Sequence, residues 1–457
     1  MTPEAATPMS RHVLLTGATG FLGKVVLADL VRHREALGIA AIHVLIRSKK
    51  GRGAAQRFAE QVVASPCFED FEPGWHACVV PVDGDASATG LGLDAATHAA
   101  LRSCLTHVVH CAASVDFDLP ILEAVRANVA SALAVQAFAE DCPALAHFLG
   151  VSTAYVQPHR AGPLPQALLP LPMPAEALLQ SLAAGTLGEA RALALCGHPN
   201  TYTFTKCLAE HLLLARRRRV PVTLLRPSII SVAQHFPHPG WIDSSAALAA
   251  FFMCFASGYL RVIAGDRQTR LDVVPVDQVA AMIRRHALVD APPAAGQAIV
   301  HAAAGPERTL PLERLSQVAQ AYFKDHPQAR PIRLKAFDRY SRWREWQHWR
   351  HHLLPLRLAA RWSRLTGNRT LGRQAARLEK VLESVFRSFL YFTHRTYDFE
   401  LSPHAGFDMP RDPYIRLVCE GTRVRLLAKM LAQPARLPRQ DASASIPAST
   451  SSAEPRR

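Results

Sequence analysis

The sequence predicts an α/β protein, a doubly wound parallel sheet followed by a mainly helical C-terminal domain, and three observations carry that prediction. A short apolar strand runs into a glycine turn and then a helix within residues 11–31. Four more short apolar strands follow between residues 42 and 155. Beyond residue 330 the composition changes, with arginine and aromatic residues interleaved. At 457 residues the chain is too long for one compact core and suggests a main domain with an appendage.

The first strand, Arg11 to Thr16, leads into Gly17-Ala18-Thr19-Gly20-Phe21-Leu22-Gly23 and a helix continuing to Val31. Strand, glycine turn and helix are the context of a Rossmann-type dinucleotide fingerprint, because glycines let the backbone approach a pyrophosphate that then faces a helix N-terminus. The spacing is G-x-x-G-x-x-G, not the commoner G-x-G-x-x-G. Gly17, Thr19, Gly20, Phe21, Leu22 and Gly23 are therefore candidate cofactor contacts.

The second strand, Ile42 to Ile46, ends in Arg47-Ser48-Lys49-Lys50. An NAD-selective site usually carries Asp or Glu there for the ribose hydroxyls. Cations suit a 2′-phosphate, so Arg47 and Lys49 predict NADPH, the alternative being a solvated basic loop. Val79 to Asp85 reads as the third strand, with Asp85 a candidate for the adenine edge, and His107 to Ala113 as the fourth. After a helix expected to begin near Asn128, a fifth strand runs from His147 to Tyr155. A hydroxyl at its end could polarise a carbonyl. Thr153 is the first choice and Ser152 the second, against a strand end merely capped by small polar residues.

Tyr202 and Lys206 stand four apart in Thr201-Tyr202-Thr203-Phe204-Thr205-Lys206, a spacing that puts both on one helix face. An ammonium beside the phenol would lower its pKa from the usual ~10 and fit it for proton exchange with a carbonyl oxygen. Tyr202 and Lys206 are thus candidates for both catalysis and cofactor binding.

Taken in order, these segments resemble the extended short-chain dehydrogenase/reductase superfamily and, within it, the fatty acyl-CoA reductase (male-sterility-like) family. The resemblance rests on Thr16 to Gly23, His110-Cys111-Ala112-Ala113-Ser114-Val115-Asp116-Phe117-Asp118, Val151-Ser152-Thr153-Ala154-Tyr155-Val156 and Tyr202 to Glu210. Leu225-Arg226-Pro227-Ser228, Gly240-Trp241-Ile242-Asp243 and Leu271-Asp272-Val273-Val274-Pro275-Val276-Asp277 continue the series, which covers residues 10 to 300. It implies NADPH-dependent reduction of a long-chain acyl thioester, acyl-CoA or an acyl carrier protein thioester, to the alcohol through the aldehyde. Tyr202 would supply the proton, Lys206 would tune it and hold the nicotinamide ribose, and Asn128 would support the lysine through water. Four alternatives stand: a thioester reductase stopping at the aldehyde, a sterol dehydrogenase, a sugar-nucleotide dehydrogenase, and a non-catalytic NADP(H) sensor.

The nine cysteines are scattered without a C-x-x-C pair, which predicts reduced thiols in a cytoplasmic protein with no disulfide frame and no metal. The first residues lack the basic start and apolar run of a signal peptide. Residues 246–265 are apolar but carry Arg261, and read as a buried helix lining an acyl pocket. Residues 158–199, rich in Ala, Leu and Pro, read either as an excursion over the substrate cleft or as a surface insertion.

The net charge of +15 is concentrated in residues 331–430, where 20 Lys and Arg face 9 Asp and Glu. Within that stretch residues 339–356 interleave tryptophan with arginine and then turn to leucine. This suits peripheral contact with an anionic membrane, or packing on the reductase domain with a solvated basic face. No nucleic-acid module is present. Residues 385–399 resemble the family's C-terminal domain more loosely. The expected organisation is a flexible 1–10, a reductase domain over 11–330, a basic helical domain over 331–432 and a disordered tail over 433–457.

Overall fold

Strand β1, Arg11–Thr16, buries Val13, Leu14, Leu15 and Thr16 completely, so both faces of the sheet at its centre are covered. That is the condition of a parallel strand between two helical layers, and it explains the near-continuous apolar run. The computed structural model describes residues 10–244, 248–256, 262–326, 336–338, 346, 349–368, 390–401, 407 and 409–427, with scattered positions between 370 and 383. The expected flexible N-terminus, apart from Ser10, and the expected disordered tail lie outside the described residues, as does most of the 339–348 run.

From β1 the chain continues through α1 (Phe21–Arg32), β2 (Ile39–Ile46), α2 (Ala54–Phe58), β3 (Val79–Asp83), α3 (Ala95–Cys104) and β4 (His107–His110). One helical run then covers α4 (Ile121–Ala124), a π-helical turn (Val125–Ala130) and α5 (Ser131–Asp141), and β5 (His147–Val151) follows. Helices α6 (Ala175–Ala183), α7 (Glu189–Cys196) and α8 (Thr201–Arg216) precede β6 (Val222–Pro227). The strand Gln297–Ala302 completes the sheet.

All seven strands are parallel, in the order Gln297–Ala302, β6, β5, β4, β1, β2, β3. The chain winds outward from β1 in one direction and from β4 in the other. The crevice at the carboxyl ends of β1 and β4 is therefore the topological switch point, where such sheets bind ligands. Alternation divides the core between the faces: Val13 and Leu15 pack in one apolar cluster, Leu14 and Val108 in the other.

Element ends differ from expectation in informative ways. The third, fourth and fifth strands stop at Asp83, His110 and Val151, and the residues beyond them become the loops that form the site. The helix expected near Asn128 starts at Ile121, leaving Asn128 in the π-helical turn. The run Ile121–Asp141 is the one described helix long and apolar enough to cross a membrane, and Val129, Val135, Phe138 and Ala139 are buried in the core.

The helix Leu248–Ala256 carries the apolar stretch after Trp241. Leu248, Phe251, Phe252 and Phe255 are buried in the main core, with Phe255 against Phe323 of the helix Leu312–Asp325. Residues 158–199 are ordered: α6 and α7 pack on α8 through Leu178, Leu182, Ala192, Phe204 and Leu208.

The C-terminal residues are woven into the sheet domain. Leu164 donates to Asp398 O at 2.7 Å and accepts from the Glu400 amide at 3.0 Å. In the helix Arg411–Gly421, the buried Tyr414 hydroxyl donates to Val232 O at 2.9 Å.

Candidate active site

The glycine turn is shaped by close approach. Gly17 sits at φ +79°, and a Cβ there would come within 2.8 Å of the Ala112 amide nitrogen. A Cβ on Gly23 would meet the Gly17 carbonyl at 2.0 Å, so α1 can pack on the turn only with glycine at this position. Thr16 Oγ1 accepts the Ala112 amide at 3.1 Å and bonds His110 Nδ1 at 2.9 Å, tying the end of β1 to the end of β4. Burial drives the His110 pKa down to about 3, so this imidazole is a neutral structural group.

Gly20 is exposed at the N-cap of α1 and no side chain caps the helix. Its first amides are therefore open to an anion. A nicotinamide dinucleotide fits these residues: a tight glycine turn, an uncapped helix start and cations beyond β2. Lys49 is exposed, and Arg47 lies 3.5 Å from the Asp85 carboxylate. Burial raises the Asp85 pKa, but the Ser87 amide and hydroxyl and the Arg47 guanidinium outweigh it and hold the carboxyl below its usual value. Phe21 and Leu22, half-buried, start α1, and Phe21 stacks on Trp241 with centroids 5.3 Å apart. Lys24, the first basic residue of that helix, is paired with Asp243.

Helix α8 carries the other half of the site. Asn200 caps it by accepting the Thr203 amide at 2.9 Å, and Thr201 Oγ1 donates to Leu119 O at 2.8 Å. This anchoring sets the rotation that turns Tyr202 and Lys206 toward the end of β5. Lys206 Nζ, buried, donates to Val151 O at 2.8 Å. Burial pushes its pKa down to about 8, against smaller opposing effects of Glu210 and Cys111.

The expected lowering of the Tyr202 pKa by Lys206 is not what this geometry produces. Burial dominates and pushes the phenol up to about 12, and the group that opposes it is the hydrogen-bonded Thr153 hydroxyl. A four-residue spacing puts two side chains on one face, but here the ammonium is held by a carbonyl. Of the two candidate hydroxyls, Thr153 is the one that tempers the Tyr202 shift and it donates to Pro227 O at 3.5 Å, whereas Ser152 Oγ is buried with no hydrogen-bond partner among the described residues. Thr153 also accepts the Tyr155 amide at 3.4 Å, so its hydroxyl is held from two sides.

Asn128 does not contact Lys206 among the hydrogen bonds of the described residues. Its side chain accepts the Ser114 amide at 2.8 Å and donates to Ser114 O at 3.2 Å and Thr205 Oγ1 at 3.0 Å. It fixes the loop after β4 to α8 one residue before the lysine.

Several residues of the site had no role assigned from sequence. Phe117, on that loop, stacks on the Tyr202 ring with centroids 5.5 Å apart at 25°, and Phe392 lies 6.3 Å from Phe117. Phe392, Tyr397 and Phe399 surround Tyr155, bringing the C-terminal segment to the tyrosine end of the site. Asp272 accepts Ser228 Oγ at 2.5 Å and the Ala304 and Gly305 amides at 2.8 and 2.9 Å. Asp277 accepts three amides of residues 234–236. Both aspartates lie in the Leu271 to Asp277 segment, and their work is structural.

Arg226 and Glu210 form a fully buried ion pair at 2.6 Å, and the guanidinium also donates to Ala167 O at 3.1 Å. They line a cavity of about 310 Å³ with Gln157, Leu169, His198 and Cys207. The apolar helix Leu248–Ala256 takes no part in that cavity. Elsewhere, His12 of β1, His43 of β2 and Cys104 cluster, with two imidazole nitrogens 3.4 Å apart.

Comparison with known proteins agrees with this geometry. Residues 15–283 match the family model described as Male sterility protein, an NAD-binding domain. Fatty acyl-CoA reductase 1 of Gallus gallus is 31% identical over 278 residues, 60% of this chain and 53% of the relative. Fatty acyl-CoA reductase wat of Drosophila melanogaster is 32% identical over 273 residues, 58% of this chain and 52% of the relative. The chain thus spans about half the length of these curated relatives. The terminal R domain of the myxalamid PKS-NRPS pathway shares the fold, with a TM-score of 0.65 at 20% identity over 94% of both chains. A thiolation-reductase di-domain from an archaeal non-ribosomal peptide synthetase aligns at 0.59 and 15% identity, over 91% of this chain and 75% of that one. With the family model spanning more than half of its length, the chain belongs to the male sterility protein family, on a Rossmann-type reductase fold built for a nicotinamide cofactor.

Proposed function

We propose that this chain is an NADPH-dependent fatty acyl-CoA reductase that converts a long-chain acyl thioester to the fatty alcohol through the aldehyde. The observation that carries the reading is the convergence of Tyr202, Thr153 and Lys206 at the end of β5, beside the glycine turn. Two curated relatives with the printed name fatty acyl-CoA reductase support the substrate class.

Gly17, Thr19, Gly20, Phe21, Leu22 and Gly23 would hold the pyrophosphate, Arg47 and Lys49 the 2′-phosphate, and Asp85 the adenine edge. The cofactor supplies hydride when bound. The chain's own residues manage the proton: the Tyr202 phenol, kept protonated by a pKa of about 12, donates to the substrate oxygen, and the Thr153 hydroxyl orients it. Lys206, charged below about pH 8 and fixed by the Val151 carbonyl, would hold the nicotinamide ribose. The first reduction gives a hemithioacetal. The Tyr202 phenolate takes back its hydroxyl proton as the C–S bond breaks and the thiolate leaves. The restored phenol protonates the aldehyde oxygen in the second reduction, for which a second NADPH would supply the hydride.

A CoA carrier is favoured over acyl carrier protein by the names of the relatives. We place the enzyme in the cytoplasm, with peripheral membrane contact through residues 339–356. The reductase domain is taken as 11–330 and the basic helical domain as 331–432. The direct test incubates purified protein with NADPH and a long-chain acyl-CoA and analyses extracted products by mass spectrometry. Fatty alcohol supports the full reading, aldehyde alone means a single reduction, and no NADPH oxidation overturns it.

A further inference from the structure

The helix Leu354–Leu365 presents an apolar stripe to solvent. Leu358, Trp362 and Leu365 follow one another at i, i+4 and i+7 and are 55%, 62% and 82% exposed, whereas Leu356 and Ser363 on the inner side are buried. A buried face and an exposed apolar face on one helix leave the second unexplained by packing. Arg361 and Arg364 flank the stripe, exposed and without an ion-pair partner among the described residues, while Arg357 is held by Glu379 at 3.0 Å. Just upstream Trp346 and Trp349 are 40% and 41% exposed, with the Arg350 guanidinium 4.9 Å over the Trp346 ring. Residues 346–368 contain four arginines and no Asp or Glu.

We infer that the outward face of this helix, Leu358, Trp362 and Leu365 with Arg361 and Arg364, docks on an anionic lipid surface. The inference rests on the proposed lipid thioester substrate for its purpose, and moves the contact surface downstream of residues 339–356. Apolar side chains enter the interface, tryptophan settles at headgroup level, and guanidiniums meet lipid phosphates. A second copy of the chain is the poorer occupant, because pairing this face with itself would oppose two sets of arginines with no carboxylate in the segment. A nearby membrane would hold the acyl substrate and accept the alcohol.

The experiment is co-sedimentation of the full chain with phosphatidylcholine vesicles, with and without phosphatidylserine. Binding to the mixed vesicles is expected, falling on the order of tenfold in affinity in Arg361→Glu/Arg364→Glu and in Trp362→Ser. NADPH binding and turnover of a water-soluble short-chain acyl-CoA, measured without vesicles, should stay at the parent level in both variants. Loss of both would trace weaker sedimentation to misfolding, and Leu365→Ser then supplies the deciding comparison. Absence of vesicle binding by the parent, equal binding by all variants, or self-association abolished by Leu365→Ser would overturn the inference. Vesicle binding by a protein that turns over no acyl-CoA would sink the reductase reading alone.

Discussion

The Lys206 ammonium donates to the Val151 carbonyl at 2.8 Å, and the Thr153 hydroxyl, not Lys206, is the group that tempers the burial-raised pKa of the Tyr202 phenol. The last residue of β5 thus positions the lysine, and the hydroxyl two residues later positions the tyrosine. One strand end organises both members of the pair that α8 supplies.

Tyr202→Phe removes the proposed proton donor and leaves the ring, including its stacking with Phe117. Turnover should fall by roughly 10²–10⁴-fold. NADPH affinity, followed by fluorescence titration, should change little. Unchanged turnover would remove Tyr202 from the mechanism.

Thr153→Val deletes the hydroxyl on the phenol, and Ser152→Ala deletes the unpartnered one. The first should lower kcat on the order of 10²-fold, with the second closer to the parent enzyme. The reverse ranking in steady-state kinetics would give the carbonyl contact to Ser152.

Lys206 makes activity and stability depend on pH in opposite directions. Its folded pKa is about 8 against 10.5 ordinarily. From about pH 8 to 10.5 the unfolded chain keeps a proton that the folded chain has released, so this group adds stability as pH rises through that window. Over the same rise the site loses its cation, and KM for NADPH should increase. Urea midpoints and initial rates on either side of pH 8 check both signs, and Lys206→Met should flatten the stability change.

The proposed preference for NADPH rests on Arg47 and Lys49. Replacing both with alanine should raise KM for NADPH by roughly ten- to a hundredfold, about 1–3 kcal/mol for lost charge-assisted contacts. KM for NADH should move far less. Equal effects on both cofactors would mean that these cations are a solvated loop.

Arg226→Met should destabilise the fold by about 3–5 kcal/mol, because it leaves the Glu210 carboxylate buried and unpaired. The double variant with Glu210→Leu should recover much of that loss. Thermal unfolding of the two single variants and the double one forms the cycle.

Local chemistry made much of this protein legible in its residues. A strand, a glycine turn and a helix follow from apolar periodicity and from the turn chemistry of Gly17, Gly20 and Gly23. The short, near-continuous apolar runs of β1 to β5 then imply strands covered on both faces and so parallel winding, and Tyr202 and Lys206 announce themselves by a spacing tied to the helical repeat. The contacts that direct those groups could not be read along the chain. Val151 lies 55 positions before Lys206, Phe392 lies far beyond Phe117, and Asn128 meets Ser114 and Thr205 only once a π-helical turn has aimed it. A side chain's pKa and partner depend on which distant groups burial brings within a few ångströms, and on the desolvation that accompanies it. Sequence spacing supplied the candidates, whereas packing between remote segments gave Thr153 and Ser152 different surroundings and gave Lys206 to a carbonyl.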